Sequence, residues 1–333
     1  MSLEIAPDPT AERSDSPVTR TAGVVGWGAA LPATVVTNEA VAEGVGVTPE
    51  WIVKRTGIRE RRHLAPGERL DALCTQAGRE ALAQAGLEAS ALDAVIVATS
   101  TPDGVFPQAA PIVAGQLGAE RALNWDVNIA CTGFVAGLAQ GAALIESGRT
   151  ETVLLVGADA VSRCIDPTNR GSVSLFADGA GAAVLTLGGE GRIGATVMGS
   201  DGASADFLVA AREDSMIRME GAEVFRHAIK RMAEAGQDAL AREGLTMKDV
   251  TLVVPHQANG RITEALAERL ALTDAQVVDD IGDRGNTSAA TIPLALHRAA
   301  AEGRIPERGH VLLVAFGAGF AWGATVLHFG EAS

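Results

Sequence analysis

The second half of the 333-residue chain repeats the order of the first. A helix-like stretch at 71–85 runs into Asp93-Ala-Val-Ile-Val-Ala98, and one at 225–243 runs into Asp249-Val-Thr-Leu-Val-Val254. The stretch ending Ser147-Gly148-Arg149 has its counterpart at 287–302, ending Glu302-Gly303-Arg304. Thr152-Val-Leu-Leu-Val-Gly157 is echoed by His310-Val-Leu-Leu-Val-Ala315, and a glycine-rich turn with a closing strand follows each. Strands alternating with helices imply an α/β fold with a mostly parallel sheet covered by helices. Two such halves, at 22–188 and 189–333, predict a five-layered α/β/α/β/α arrangement with shared middle helices. The stretch 134–147 is apolar or small almost all round, as burial between two sheets requires.

Composition narrows the function. Hydrophobic residues make up 47% and charged residues 20%, which describes a soluble globular chain. A net charge of −14 argues against nucleic acid as a partner. No apolar run approaches the roughly 18 residues of a membrane span, so no membrane association is expected. Three cysteines, Cys74, Cys131 and Cys164, lack metal-type spacing and suggest free thiols in a reducing cytoplasm. Residues 1–21 carry Pro, Ser and acidic residues instead of a signal-peptide pattern, and are expected to form a disordered arm.

The chemistry centres on Asp126-Val-Asn-Ile-Ala-Cys131-Thr-Gly-Phe, where a buried strand meets a helix. A thiol at a helix start feels the positive end of the dipole, which is expected to lower its pKa. In the repeat, Ser100 corresponds to His256, and Cys131 is matched with Asn286. His256 lies in Pro255-His256-Gln-Ala-Asn259, at a strand end; Asn286, in Gly285-Asn286-Thr-Ser, starts a helix that Pro293 is expected to kink or break. An approximate two-fold relation between the halves would bring Cys131, His256 and Asn286 to one crevice beyond the carboxyl ends of strands. Arg55, Arg59, Arg61 and Arg62 crowd one corner beside Trp51. Spacing alone favours a solvated basic turn there over a phosphate site. Phe106 reads as a loop anchor or as a gate over a pocket. No carboxylate or Cys/His cluster has ligand spacing, so neither a metal nor another cofactor is expected.

These motifs, with the ending Phe316-Gly-Ala-Gly-Phe-Ala-Trp-Gly, resemble the β-ketoacyl-acyl carrier protein synthase III family of thiolase-fold condensing enzymes. The resemblance runs from about residue 22 to residue 329. It implies a thiolase-like fold and a decarboxylative condensation of an acyl-CoA starter with malonyl-acyl carrier protein, opening fatty acid or polyketide synthesis. Cys131 would carry the acyl group, with the N–H groups of Cys131 and Ala318 as oxyanion donors. His256 and Asn286 would hold the enolate formed as CO2 leaves. Trp51, Arg55, Arg170 and Asn259 resemble the family's coenzyme A contacts. Phe106 resembles the residue that closes the partner's acyl pocket in a homodimer. Arg226, Lys230, Arg231 and Arg261 resemble the basic surface that receives the acidic carrier protein. Two departures stand out: Ala318 replaces a common Gly, and Glu268 lies where some relatives have Lys. A thiolase is set aside, because Phe316-Gly-Ala-Gly-Phe lacks a second cysteine. Two alternatives stay open: acyl transfer from Cys131 to an alcohol or amine, with His256 as base, and a non-catalytic partner.

Overall fold

The computed structural model describes residues 20–330. The arm expected at 1–21 therefore lies outside the described residues, except for Arg20 and Thr21. Arg20 donates to the Ile145 carbonyl (3.0 Å).

Strand β1 (Ala22–Ala30) leads into a small lobe of β2 (Thr34–Thr37), α1 (Asn38–Val45), α2 (Pro49–Thr56) and β3 (Glu60–His63). Then come α3 (Leu70–Ala85), β4 (Ala94–Ala98), α4 (Ala109–Leu117), β5 (Leu123–Val127), α5 (Gly133–Glu146), β6 (Thr152–Ala160), the single turn α6 (Arg170–Val173) and β7 (Asp178–Leu187). The second half holds β8 (Gly191–Ser200), the hairpin β9 (Leu208–Ala210) and β10 (Ile217–Met219), α7 (Gly221–Arg242), β11 (Val250–Pro255), α8 (Gly260–Leu270), α9 (Thr291–Ala301), β12 (Gly309–Gly317) and β13 (Ala321–Phe329). Local signals set several of these bounds. Thr48 caps α2 by accepting from Trp51 N–H, Pro49 occupies the first turn, and Gly57 closes the helix in the left-handed region (φ 78°).

The large sheet runs β11-β12-β13-β8-β1-β7-β6-β4-β5. Its two sets meet only where Gly23 and Val24 of β1 pair with Arg192 and Gly191 of β8. Each set has the same plan: β4 lies parallel to β6 as β11 does to β12, and β7 then β1 follow antiparallel as β13 then β8 do. An isolated parallel bridge, Val253 to Val277, stands where β5 pairs with β4. The sheet is thus mixed, where a mostly parallel one was expected. The reason lies in the returns β6 to β7, with only the single turn α6 between them, and β12 to β13, with no helix, which come back antiparallel.

Alternate strand residues face opposite layers. Ile96, Leu155 and Leu313 join Phe134, Leu138, Ile292 and Leu296 in a central core around α5 and α9. Val95, Val97 and Leu154 pack outward on α3 and α4, while Val253, Leu312 and Val314 pack outward on α7 and α8. These are the five layers. At Gly137 of α5 a Cβ would lie 2.3 Å from Leu155 Cδ1, so glycine lets this helix sit close against β6. Pro293 does not kink α9. The regular helix begins at Thr291, so Pro293 sits in the first turn, where its missing N–H and fixed φ cost little.

Candidate active site

Cys131 sits in a 3-10 turn, Ala130–Thr132, between β5 and α5. The corresponding turn before α9 is Ser288–Ala290. Both turns open on a non-glycine residue at positive φ, Ala130 (43°) and Ser288 (53°). In both, an asparagine two residues earlier accepts from that residue's N–H: Asn128 from Ala130 (3.5 Å) and Asn286 from Ser288 (2.9 Å). The repeat register is therefore Asn128 to Asn286, and Cys131 corresponds to Ala289, three residues away from the match made on sequence. The two halves contribute different positions of one motif: a sulfur from one and an amide from the other.

His256 follows the last residue of β11, and its N–H donates to the Val314 carbonyl (2.8 Å). Asn286 is fixed by a parallel bridge to Phe176, donating to Leu175 O and accepting from Ala177 N (both 2.9 Å). Its Nδ2 donates to Ala258 O at 3.4 Å, which leaves one amide hydrogen free to turn elsewhere. Cys131, His256 and Asn286 all line one cavity of about 580 Å³. Gly317 closes against the thiol: a Cβ there would lie 3.0 Å from the Cys131 nitrogen and Cβ.

Electrostatics at the thiol differ from expectation. Burial pushes the Cys131 thiol up to about 11; a hydrogen bond from Ser288 lowers it only partly, and the Asp159 charge adds to the rise. Because Cys131 belongs to the 3-10 turn and not to the first turn of α5, and because its half-buried thiol is withdrawn from water, desolvation outweighs the dipole. Burial also holds His256 down to about 3, so its ring is neutral at physiological pH. Its Nδ1 lies 2.6 Å from Thr291 Oγ1. Asp159 is fully buried and accepts from Ser100 N (2.8 Å), Thr101 Oγ1 (2.9 Å), Thr99 Oγ1 (3.2 Å) and Ala289 N (3.2 Å), tying the loop after β4 to the Asn286 loop. Thr291 and Asp159 were missed in sequence, since nothing in their local pattern marks them. Ser288 lay inside the quoted Asn286 motif.

At the cavity mouth the Trp51 ring is flanked by two guanidinium groups, Arg55 at 5.6 Å and Arg170 at 5.5 Å from its centroid. Asn259 and Arg261 line the same opening. The rest of the basic corner turns away. Arg61 is wholly buried, donating to Asn38 Oδ1 (2.8 Å) and Ser174 O (3.1 Å), with burial lowering it to about 10. Arg62 donates to Pro32 O, and Arg59 packs on Gly282. Phe106 is 84% exposed and is not part of the cavity wall. Arg226, Lys230 and Arg231 lie on α7 and pair with Glu223 or Glu234 of the same helix; Arg231 also stacks on Trp322 at 4.4 Å. Ala318 follows Gly317 at the turn after β12. The hairpin β9–β10 adds Leu208 and Met219 to the cavity.

Residues 125–202 match the family model for 3-oxoacyl-[acyl-carrier-protein (ACP)] synthase III, and residues 240–329 match the model for its C-terminal part. The β-ketoacyl-acyl carrier protein synthase III of Paracoccus denitrificans is 45% identical over 322 residues, 93% of this chain and 100% of that one. The chain belongs to the synthase III family. It is an enzyme of the ketosynthase type with the thiolase fold. The crystal structure of synthase III from Pseudomonas aeruginosa matches with a TM-score of 0.89 at 40% identity, covering 94% of this chain and 100% of that one. A priming β-ketosynthase from a polyketide biosynthetic pathway matches with a TM-score of 0.90 at 36% identity, covering 96% and 99%. Among the described residues, no group of three His, Cys, Asp or Glu could hold a metal ion, and no helix is long and apolar enough to cross a membrane.

Proposed function

We propose that this chain catalyses decarboxylative condensation of an acyl-CoA starter with malonyl-acyl carrier protein, as the first step of a fatty acid or polyketide chain. The observation that carries the reading is the meeting of Cys131, His256 and Asn286 in one cavity whose mouth holds Trp51 between two arginines. Adenine stacks at Trp51 after displacing Arg55 or Arg170, whose guanidinium groups then face the phosphates, with Asn259 beside them. Cys131 attacks the thioester carbonyl. Its proton ends on the departing coenzyme A sulfur, and the N–H groups of Cys131 and Ala318 hold the oxyanion.

In the second half-reaction the malonyl thioester carbonyl faces His256 and Asn286. The bond to the free carboxylate breaks, CO2 leaves, and the enolate oxygen accepts hydrogen bonds from the imidazole and the Asn286 NH2. The carbanion attacks the acyl carbonyl on Cys131, and the sulfur leaves as a thiolate that takes a proton from solvent. A ring held neutral near pH 7, with its pKa down at about 3, suits a hydrogen-bond donor. It is a poor base for delivering the acyl group to an alcohol or amine.

The enzyme works as a homodimer, in which Phe106 reaches from one protomer to close the partner's acyl pocket. Its exposure, and that of Val105 and of Leu123 on edge strand β5, favours burial in such a contact. Arg226, Lys230, Arg231 and Arg261 receive the acidic carrier protein in the cytoplasm. On a −14 chain this attraction is local and weakens with salt. The test is a panel of acyl-CoA starters with malonyl carrier protein, scored for CO2 release and product mass. CO2 without a 3-oxoacyl product, or an acyl ester or amide as product, would refute the reading.

A further inference from the structure

A neutral histidine that must donate a hydrogen bond has one proton to place on two nitrogens. In His256 the choice is made by its surroundings. Nδ1 lies 2.6 Å from Thr291 Oγ1, and no described residue takes a hydrogen bond from Nε2. The Thr291 hydroxyl can either donate to Nδ1 or accept from it. It has no other hydrogen-bond partner among the described residues. If Nδ1 carried the proton, the threonine oxygen would accept it and its own O–H would be left buried with no acceptor. If the hydroxyl donates, both groups are satisfied, and burial makes that difference costly to ignore. Thr291 and His256 are 3% and 2% exposed.

Neither partner is free to shift. Thr291 is the first residue of α9 in the shared middle layer, and its N–H donates to Ser288 O. Its branched side chain has few rotamers. The His256 backbone is tied to Val314. We propose that Thr291 is a positioning residue that donates to His256 Nδ1 and so keeps the ring proton on Nε2. This rests on the condensing reading above, because a donor at His256 needs the proton on Nε2, whereas a base there would need it on Nδ1. The same residue disfavours base chemistry, since Nε2 cannot accept a proton while it already carries one.

The experiment uses the full-length enzyme labelled with ¹⁵N-histidine, with the His256 signals assigned by their loss in His256→Gln. At pH 7 the expected spectrum is that of the Nε2–H tautomer; an Nδ1–H tautomer or an even mixture overturns the proposal. Thr291→Val keeps the shape and removes the donor. Condensation should fall about tenfold or more, as on loss of a donor to a developing charge. Acylation of Cys131 by labelled acyl-CoA should stay within about threefold, and Thr291→Ser should restore condensation to within about threefold. A valine variant that condenses normally, or one that loses acylation and condensation alike without rescue by serine, overturns it. If the wild type acylates Cys131 but never condenses, the condensing reading fails, and the wild-type spectrum still decides the tautomer.

Discussion

The hydroxyl of Ser288 lies 3.5 Å from the sulfur of Cys131, the two groups coming from equivalent turns of the two half-folds. Ser288 is held at positive φ by the Asn286 side chain, so the residue that contacts the thiol and the residue assigned to the enolate share one loop. Placing the amide and tuning the sulfur are thus one structural act.

Alkylation of Cys131 reads this contact directly. With burial pushing the thiol up to about 11, its rate with iodoacetamide should still be climbing between about pH 8 and 10. Ser288→Ala removes a bond that favours the thiolate and should lower the rate at every pH in that range. Asp159→Asn removes a charge that opposes the thiolate and should raise it. A plateau reached by about pH 8 would contradict the desolvated thiol.

His256 gives a pH signature of the opposite kind. Its folded pKa, about 3, lies below the ordinary 6.5, so between these values the unfolded chain binds more protons than the folded one. Stability should therefore fall as pH drops from about 6.5 toward 3, by up to about 1.4 kcal/mol per unit from this residue. Urea titrations should show a shallower loss over that window in His256→Gln. Decarboxylation by the wild type should show no inflection from His256 between about pH 6 and 8, and His256→Ala should impair decarboxylation more than acylation.

Trp51→Ala should raise KM for acyl-CoA about tenfold while leaving kcat nearly unchanged, because the ring binds a remote part of the substrate. Arg61→Ala should act differently. It leaves Asn38 and Ser174 without their buried partner, so thermal unfolding should shift down with little change in KM.

Gly137→Val should lower stability by about 1–3 kcal/mol, since its first side-chain atom would start 2.3 Å from Leu155 in a filled layer. Differential scanning calorimetry checks this, and unchanged stability would mean that α5 can back away from β6.

The repeat, the alternating strands and the apolar stretch around Phe134 made the layers legible, because burial on both sides leaves its mark on every residue of an element. Thr48, Pro49 and Gly57 mark the bounds of α2 by capping chemistry. Cys131, His256 and Asn286 could be singled out because each stands at a junction between elements. What sequence could not carry was register and depth. Asn128 and Asn286 look alike only once both side chains are seen bonding two residues ahead. Arg61 reads like Arg55 until one is buried and the other faces a cavity. The Cys131 pKa turned on desolvation, which depends on the packing of Gly317 and Ser288 from far along the chain.

The fate of an acyl group loaded on Cys131 separates condensation from its alternatives most directly. Intact-protein mass spectrometry after mixing with acyl-CoA should show one acyl adduct, mapped to the Cys131 peptide. Adding malonyl carrier protein should discharge it with one CO2 per 3-oxoacyl product. An adduct that forms but persists with malonyl carrier protein present, or that leaves without CO2, would contradict condensation at Cys131.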